Sequence, residues 1–287
     1  MSGRGWWRTA RLGLPTVLGL ARRGWFVPYC YAATLPEAGA SPPYPAVEAV
    51  FAAATPAFLA TMDRIDACAM PLRAIATGTT SEGPRPRFDQ AWYPTLDACA
   101  AYTILRDLKP RRIVEVGSGH STRFLARAAA DGGYDCAIVA IDPAPRADIA
   151  RLPGVTVRRQ TVHEAGLEPF AALGPGDVLF VDSSHVLMPG SDVDLLFNRV
   201  LPMLPAGVVV HVHDIALPDD YPADWGWRNY NEQQGVVPLL TSGTWTALFS
   251  SHFVATRHAA RVSTSVVATL PAHPEARPMA LWLRKES

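Results

Sequence analysis

The sequence predicts an α/β protein: a doubly wound, mostly parallel sheet of seven strands with an antiparallel hairpin at one edge, preceded by a helical extension. Three observations predict it. From residue 112 onward, short apolar runs of strand composition alternate with stretches of helical periodicity. Four of those runs carry an acid at or near their end, namely Glu115, Asp142, Asp182 and Asp214. The segment Ile113 to Thr122 (Ile-Val-Glu-Val-Gly-Ser-Gly-His-Ser-Thr) reads as a buried strand, a glycine turn and the start of a helix. Residues 1–90 lack this alternation, so the chain divides into a helical extension (1–90) and a sheet domain (91–287).

At the N-terminus, residues 1–23 hold Arg4, Arg8, Arg11, Arg22 and Arg23 and no acid, around Trp6, Trp7 and the apolar run Leu12 to Ala21. That run falls short of the roughly 20 apolar residues a membrane span needs. Two readings stand: peripheral contact with a membrane surface, or a helix packed on this chain or on a second copy in a homo-oligomer. Residues 34–45 are a proline-rich linker. Val47, Val50, Phe51, Ala54, Phe58, Met62 and Ile65 then recur at helical spacing, with Pro56 expected to split them into two helices. Residues 77–90, with Gly78, Gly83, Pro84 and Pro86, read as loop. Leu96, Ala100, Ile104 and Leu108 mark a helix closed by Lys109-Pro110.

The predicted strands are Ile113–Val116, Cys136–Ile141, Val155–Val157, Val178–Val181 and Val208–Val212. An amphipathic helix through Val193, Leu196, Val200 and Met203 precedes the last of these, and Thr244–Phe249 and Met279–Leu283 supply the edge pair.

Composition bounds the function. Of 287 residues, 49% are hydrophobic, enough for a substantial core, and the zero net charge argues against charge-driven nucleic-acid binding. The four cysteines (Cys30, Cys68, Cys99, Cys136) form no C-x-x-C pair, so reduced thiols in a cytoplasmic protein are expected.

The glycine turn selects among ligands. Glycines at 117 and 119 let the backbone approach a small molecule, and the following helix aims its free N–H groups at it. No lysine follows, which excludes a phosphate loop, and Thr122 stands where a dinucleotide fingerprint needs its third glycine. In an open parallel sheet ligands bind beyond the carboxyl ends of the strands, so the acids there share one rim. Asp142 lies 25 residues after Gly117, near the spacing for an acid on a ribose diol; an Asp-Pro turn with Pro143 is the alternative. Asp182-Ser183-Ser184-His185 places a histidine three residues after a strand-end acid. His213-Asp214 repeats the theme on a neighbouring strand. Asp182 and Asp214 either share a divalent ion or act as hydrogen-bonding groups without metal. His163 lies in the loop after strand three. His252, His258 and His273 read as surface groups.

Together these motifs resemble bacterial class I S-adenosylmethionine (SAM) methyltransferases, distantly similar to the metal-dependent catechol and macrolide-sugar O-methyltransferases. The likeness runs from about Phe88 to Phe249. It covers Trp92-Tyr93-Pro94, Leu96-Asp97, the Glu-Val-Gly-Ser-Gly-His-Ser-Thr turn, Ile141-Asp142-Pro143 and Asp182-Ser183-Ser184-His185. It also covers His213-Asp214-Ile215, Pro218, Tyr221-Pro222, Trp227 and Asn231-Glu232-Gln233. The resemblance implies a Rossmann-like fold and SAM as cofactor. Glu115, Gly117, Ser118 and Gly119 would hold its methionine part, with Ser121 and Thr122 near the carboxylate. Asp142 would meet the ribose, Gln160 to Val162 the adenine, and Asp182 would also touch the cofactor. It implies Asp182 and His185 as catalytic residues, with His185 as the base. Asp182 and Asp214 would be ligands of magnesium, although His213 and Ile215 flank Asp214 where relatives have another oxygen ligand. The expected reaction is in-line methyl transfer to a hydroxyl of a small-molecule or sugar acceptor, covered by the N-terminal helices and the segment Pro218 to Gln233. Tyr221, Trp225, Trp227 and Tyr230 there either grip a ring or sugar face or are subunit-interface or core residues. The alternative is a protein of this fold without catalysis, working as an interaction or membrane-surface module.

Overall fold

The computed structural model describes residues 3–78 and 84–287, and the side chains of residues 7 and 9–78 in its first part. Gly83, and the side chains of Arg4, Trp6 and Arg8, lie outside the described residues. Helix α1 (Gly3–Val17) is followed by the linker, then α2 (Pro45–Ala67), α3 (Ala69–Thr77) and α4 (Thr95–Leu108). Lys109 ends α4 in a left-handed conformation ahead of Pro110. The sheet domain continues with β1 (Arg112–Val116), α5 (His120–Gly132), β2 (Ala137–Ile141), β3 (Val155–Arg158) and β4 (Val178–Val181). A helix over 192–203, π-wound between Leu196 and Val200, leads to β5 (Val209–Val212), and β6 (Trp245–Ser250) and β7 (Leu281–Lys285) complete the sheet.

The seven strands lie in the order β3-β2-β1-β4-β5-β7-β6. Strands β1 to β5 are parallel, and β7 runs antiparallel between β5 and β6. The strand order reverses at β1, whose neighbours are β2 and β4, so the crevice for a ligand opens beyond Val116 and Val181. Every residue of β4 and β5 is buried, as expected of central parallel strands covered on both faces. His211 of β5 belongs to that core: its ring stacks on Phe180 with 3.8 Å between centroids, and burial holds its pKa well below the imidazole norm.

Helix α2 is one helix, not two. Pro56 sits inside it on the exposed side, where the hydrogen bond that proline removes costs least because water reaches the freed carbonyl. Its other side carries Val47, Phe51, Phe58, Met62 and Ile65 into the same core as the sheet. Phe51 and Phe58 meet Phe253 edge-to-face at 5.5 and 6.0 Å, and Phe58 meets Phe249 at 6.1 Å. This helix is long and apolar enough to cross a membrane by length and composition, but those apolar side chains are spent on internal packing. Arg257 pins its start to the loop after β5, reaching Glu48 at 3.0 Å and Asp219 at 2.6 Å. His252 belongs to that staple, 2.8 Å from Asp219, and is partly buried, not a free surface group. Helix α1 lies against the segment Ala223–Arg228, with Trp7 and Leu14 exposed.

Candidate active site

The turn after β1 is built around a buried carboxyl. Glu115 is fully buried, and its oxygens accept hydrogen bonds from Ser121 Oγ and Thr122 Oγ1, both at 2.6 Å. Thr122 Oγ1 in turn accepts from the Gly119 N–H at 3.0 Å. Burial pushes the Glu115 pKa up to about 8, although the two hydroxyls pull the other way. Glu115, Ser121 and Thr122 were expected to touch the cofactor. The structure corrects this for Glu115 and Thr122: their polar atoms are spent on each other, tying the start of α5 to the end of β1. Ser121 also spends its hydroxyl on Glu115, while lining a narrow recess with Ser118, Gly119 and His120. His120, kept neutral by burial and by Arg123 and Arg87 with a pKa of about 4, has its Nδ1 unpartnered there.

Gly117 has a second reason to be glycine. Its φ is +77°, and a Cβ there would come within 1.8 Å of the Asp182 carbonyl oxygen. The first turn of the motif is therefore packed directly on the strand end that carries Asp182, whose N–H donates to Val116 O at 2.9 Å.

Beyond these strand ends lies a cavity of about 490 Å³, within the range of small-molecule sites. Gly117, Ser118, Asp142, Arg146, Thr161, Val162, His163 and Asp182 line it, together with Ser183, Ser184 and Trp25 of the N-terminal segment. Asp142 is on its wall as expected. One of its oxygens accepts from Ser118 N (2.7 Å) and Oγ (3.1 Å), the other from Ala144 N (2.8 Å). Of the roughly four acceptor positions of a carboxylate, about one is left open, and the bond from Ala144 N–H makes the turn with Pro143. Gln160 does not reach the cavity. The backbone turns after β3 so that Thr161, Val162 and His163 face it instead. Arg146 escaped the sequence reading altogether. It borders both the cavity and the recess, with its guanidinium 4.7 Å over the Trp92 ring.

Next to the cavity the strand-end acids converge on one imidazole. His185 Nδ1 lies 2.8 Å from Glu232 Oε2, while Nε2 stands 3.3 Å from Asp182 Oδ1 and 3.5 Å from Asp214 Oδ2. Burial alone would lower the His185 pKa; the bonds to Asp182 and Glu232 and the charge of Asp214 outweigh it and hold the ring protonated well above the usual range. Burial opposes ionisation of Asp182 too, but His213 and His185 hold its pKa low. His213 is raised, with the charges of Asp182, Asp214 and Asp97 overcoming burial. Asp97, pushed by burial to about 6, lies 3.9 Å from His213 on the far side. His185 (φ 61°) and Asp214 (φ 55°) both occupy left-handed backbone, a conformation that non-glycine residues tolerate where the surroundings enforce it and that gathers at functional sites.

Asp182 and Asp214 are thus brought together, as their adjacent strands predicted, but the space between them is taken by the His185 Nε2. Among the described residues no cluster of three or more His, Cys, Asp or Glu is arranged to hold a metal ion. The donor set does not fit magnesium as these side chains stand, because a protonated nitrogen occupies the ion's place.

Glu232 belongs to the Asn231-Glu232-Gln233 stretch, but its partnership with His185 is not visible in the sequence: it sits 47 residues from His185, and no local pattern links them. Over the cluster, Tyr230 lies 4.6 Å from the His185 ring. Arg228 stacks on Trp225 at 3.9 Å and reaches Asp214 at 3.9 Å. Tyr221 packs edge-to-face on Tyr230. Tyr230 and Arg228 thus touch the polar cluster, and Tyr221 and Trp225 back them.

Residues 114–215 match the family model described as a methyltransferase domain. No curated protein sequence matches the chain. Among solved structures it is similar to the SAH-bound Podospora anserina methyltransferase PaMTH1, at 15% identity over 92% of this chain and 100% of that one, with a TM-score of 0.41. It is similar to cmcI-N160 with SAH, at 16% identity over 66% and 77% of the two chains and a TM-score of 0.38. A third is the plantazolicin methyltransferase BamL in complex with a triazolic desmethylPZN analog and SAH, at 10% identity over 67% and 86%, with a TM-score of 0.39. Identities this low carry no activity across to the present chain.

Proposed function

We propose that this chain, whose residues 114–215 match the methyltransferase-domain model, is a class I, SAM-dependent enzyme that methylates a hydroxyl oxygen of a small molecule. The observation that carries the choice of oxygen is His185, held between Glu232 and the Asp182–Asp214 pair and directly behind the cavity-lining Asp182, Ser184 and Val186. A hydroxyl must lose its proton as it is methylated, so it needs a neighbouring group able to take one. A thiolate or carboxylate acceptor needs none, and a carboxylate would meet repulsion from three acids.

Bound SAM supplies an electrophilic methyl group on a sulfonium. The chain supplies position. The Gly117–Gly119 turn offers backbone close to the methionine part, Asp142 the remaining acceptor for the ribose, and Arg146 a cation at the recess. Holding the reacting atoms in line is the larger part of the rate gain in such a transfer. His185 takes the hydroxyl proton at Nε2 in its neutral form, and Glu232, accepting from Nδ1–H, fixes that tautomer and stabilises the imidazolium that forms. Asp182 and Asp214 hold the ring in place. The acceptor lies under Tyr221, Trp225, Trp227 and Tyr230. The four cysteines, all free, suit a cytoplasmic enzyme.

The test is a mass-resolved screen with SAM against hydroxylated small molecules and their thiol, amine and carboxylate counterparts. A gain of one methyl on the hydroxyl members, slowed roughly 100- to 10,000-fold by His185→Ala with SAM affinity retained, is the expected result. Methylation confined to the other classes, or a His185→Ala protein with full turnover, overturns it.

A further inference from the structure

Only one aromatic ring of the Phe, Tyr or Trp kind lines the cofactor cavity among the described residues, and the sheet domain does not supply it. It is Trp25, from the N-terminal segment. That segment is held to the rest of the chain at its two ends. Upstream, α1 lies against Ala223–Arg228. Downstream, Gly39 N–H donates to Asp220 Oδ2 at 3.2 Å, and Tyr44 N–H donates to Pro218 O at 2.8 Å. Gly39 is so close to Ala223 that a Cβ would come within 2.9 Å of its backbone nitrogen. Between these anchors, among the described residues, no backbone hydrogen bond joins residues 24–31 to the sheet domain. The neighbours Phe26 and Val27 are about two-thirds exposed, at 66% and 64%, and Trp25 itself is 46% exposed at the cavity mouth.

A strap fixed at both ends, with one half-exposed indole at the mouth of a ligand cavity and, among the described residues, no backbone hydrogen bond from residues 24–31 to the sheet domain, is an incomplete contact. SAM carries one flat π-face, its adenine. We propose that Trp25 packs on the adenine of SAM and of its product S-adenosylhomocysteine (SAH), so that the N-terminal strap forms part of the cofactor site. The inference rests on the cofactor reading above. Because the strap ends on the same 218–228 loop that bears Trp225 and Trp227, cofactor binding also fixes the cover of the acceptor side. By linkage, a ligand that contacts the strap orders it, and the strap raises affinity by the same factor.

The experiment uses the full chain with SAH, and with adenosine as the probe of the ring alone. Affinities are measured for wild type, Trp25→Ala and Trp25→Phe, and tryptic cleavage after the exposed Arg22 and Arg23 is followed with and without SAH. Base-on-aromatic stacking predicts that Trp25→Ala weakens SAH and adenosine in similar proportion, by roughly tenfold, with Trp25→Phe in between. It also predicts that SAH slows cleavage at Arg22-Arg23 in wild type and not in Trp25→Ala. A wild type that binds SAH, with Trp25→Ala binding it equally well or SAH leaving cleavage unchanged, removes Trp25 from the site and leaves the cofactor reading intact. A wild type that binds no SAH removes both.

Discussion

The Glu232 carboxylate stands 2.8 Å from Nδ1 of His185, and this contact decides which ring nitrogen faces Asp182 and Asp214. Replacing Glu232 by Gln keeps an acceptor of similar shape but removes a buried negative charge. The His185 pKa is then expected to fall. Wild-type turnover is expected to rise with pH, since the neutral ring is the competent form and its pKa is raised above 6.5. In Glu232→Gln the rise shifts to lower pH. The stability that His185 contributes is complete below its unfolded value and is lost as pH rises through the higher folded value, so the variant loses it earlier. Histidine NMR titration and kcat/KM profiles check both; superimposable profiles contradict the assignment.

Glu115 is expected to behave as a brace and not as a ligand. Its pKa of about 8 means it is mainly protonated at neutral pH. Glu115→Gln is therefore expected to fold and to bind SAH nearly as wild type does. Glu115→Leu strands the Ser121 and Thr122 hydroxyls, at about 1–3 kcal/mol for each group left unpaired. The pH sign is also fixed: the acid's folded pKa lies above its unfolded value, so its contribution is present at low pH and is lost between about 4.5 and about 8. Urea melts across that range measure it. A Glu115→Gln protein that folds but loses SAH would return Glu115 to the cofactor.

Gly117→Ala is expected to be the most damaging single methyl in the domain. The left-handed backbone alone costs on the order of 1–3 kcal/mol, and the new Cβ meets the Asp182 carbonyl, which cannot move without pulling β4 from β1. Thermal unfolding and SAH titration should both register it. A variant with wild-type melting and affinity would show that the turn is not packed as described.

The sheet was legible because central parallel strands are buried on both faces and so appear as unbroken apolar runs, with an acid at or near the end of four of the five. The same logic located the rim and brought Asp182, His185 and Asp214 together. It failed wherever direction mattered more than position. Glu115 and Thr122 sit in the right turn, but their side chains point inward, and Gln160 misses the cavity by one residue of backbone rotation. Pro56 reads as a break because local propensity counts a lost hydrogen bond and cannot count Phe51 and Phe58 locked into the core on the opposite face. Glu232 and Trp25 reach the site from distant segments, and although Asn231-Glu232-Gln233 carries part of the resemblance, nothing local ties Glu232 to His185. Arg146 follows Asp142 by four residues, in a loop whose pattern does not mark its side chain.

The imidazole between Asp182 and Asp214 makes a further expectation. With a cation of the chain's own between the two acids, exhaustive chelation is expected to leave SAH affinity and turnover unchanged. Activity lost on chelation and restored by a divalent ion would require His185 to swing away and would reinstate the metal pair.

Titration calorimetry of the full chain with SAH bears most directly on the central claim, that the acids and glycines along this sheet edge form a nucleoside-sulfonium site. Saturable binding of one SAH per chain in the micromolar to sub-millimolar range, weakened by Asp142→Ala and abolished by Gly117→Ala, is the predicted result. No detectable binding by a folded wild-type protein would contradict the account.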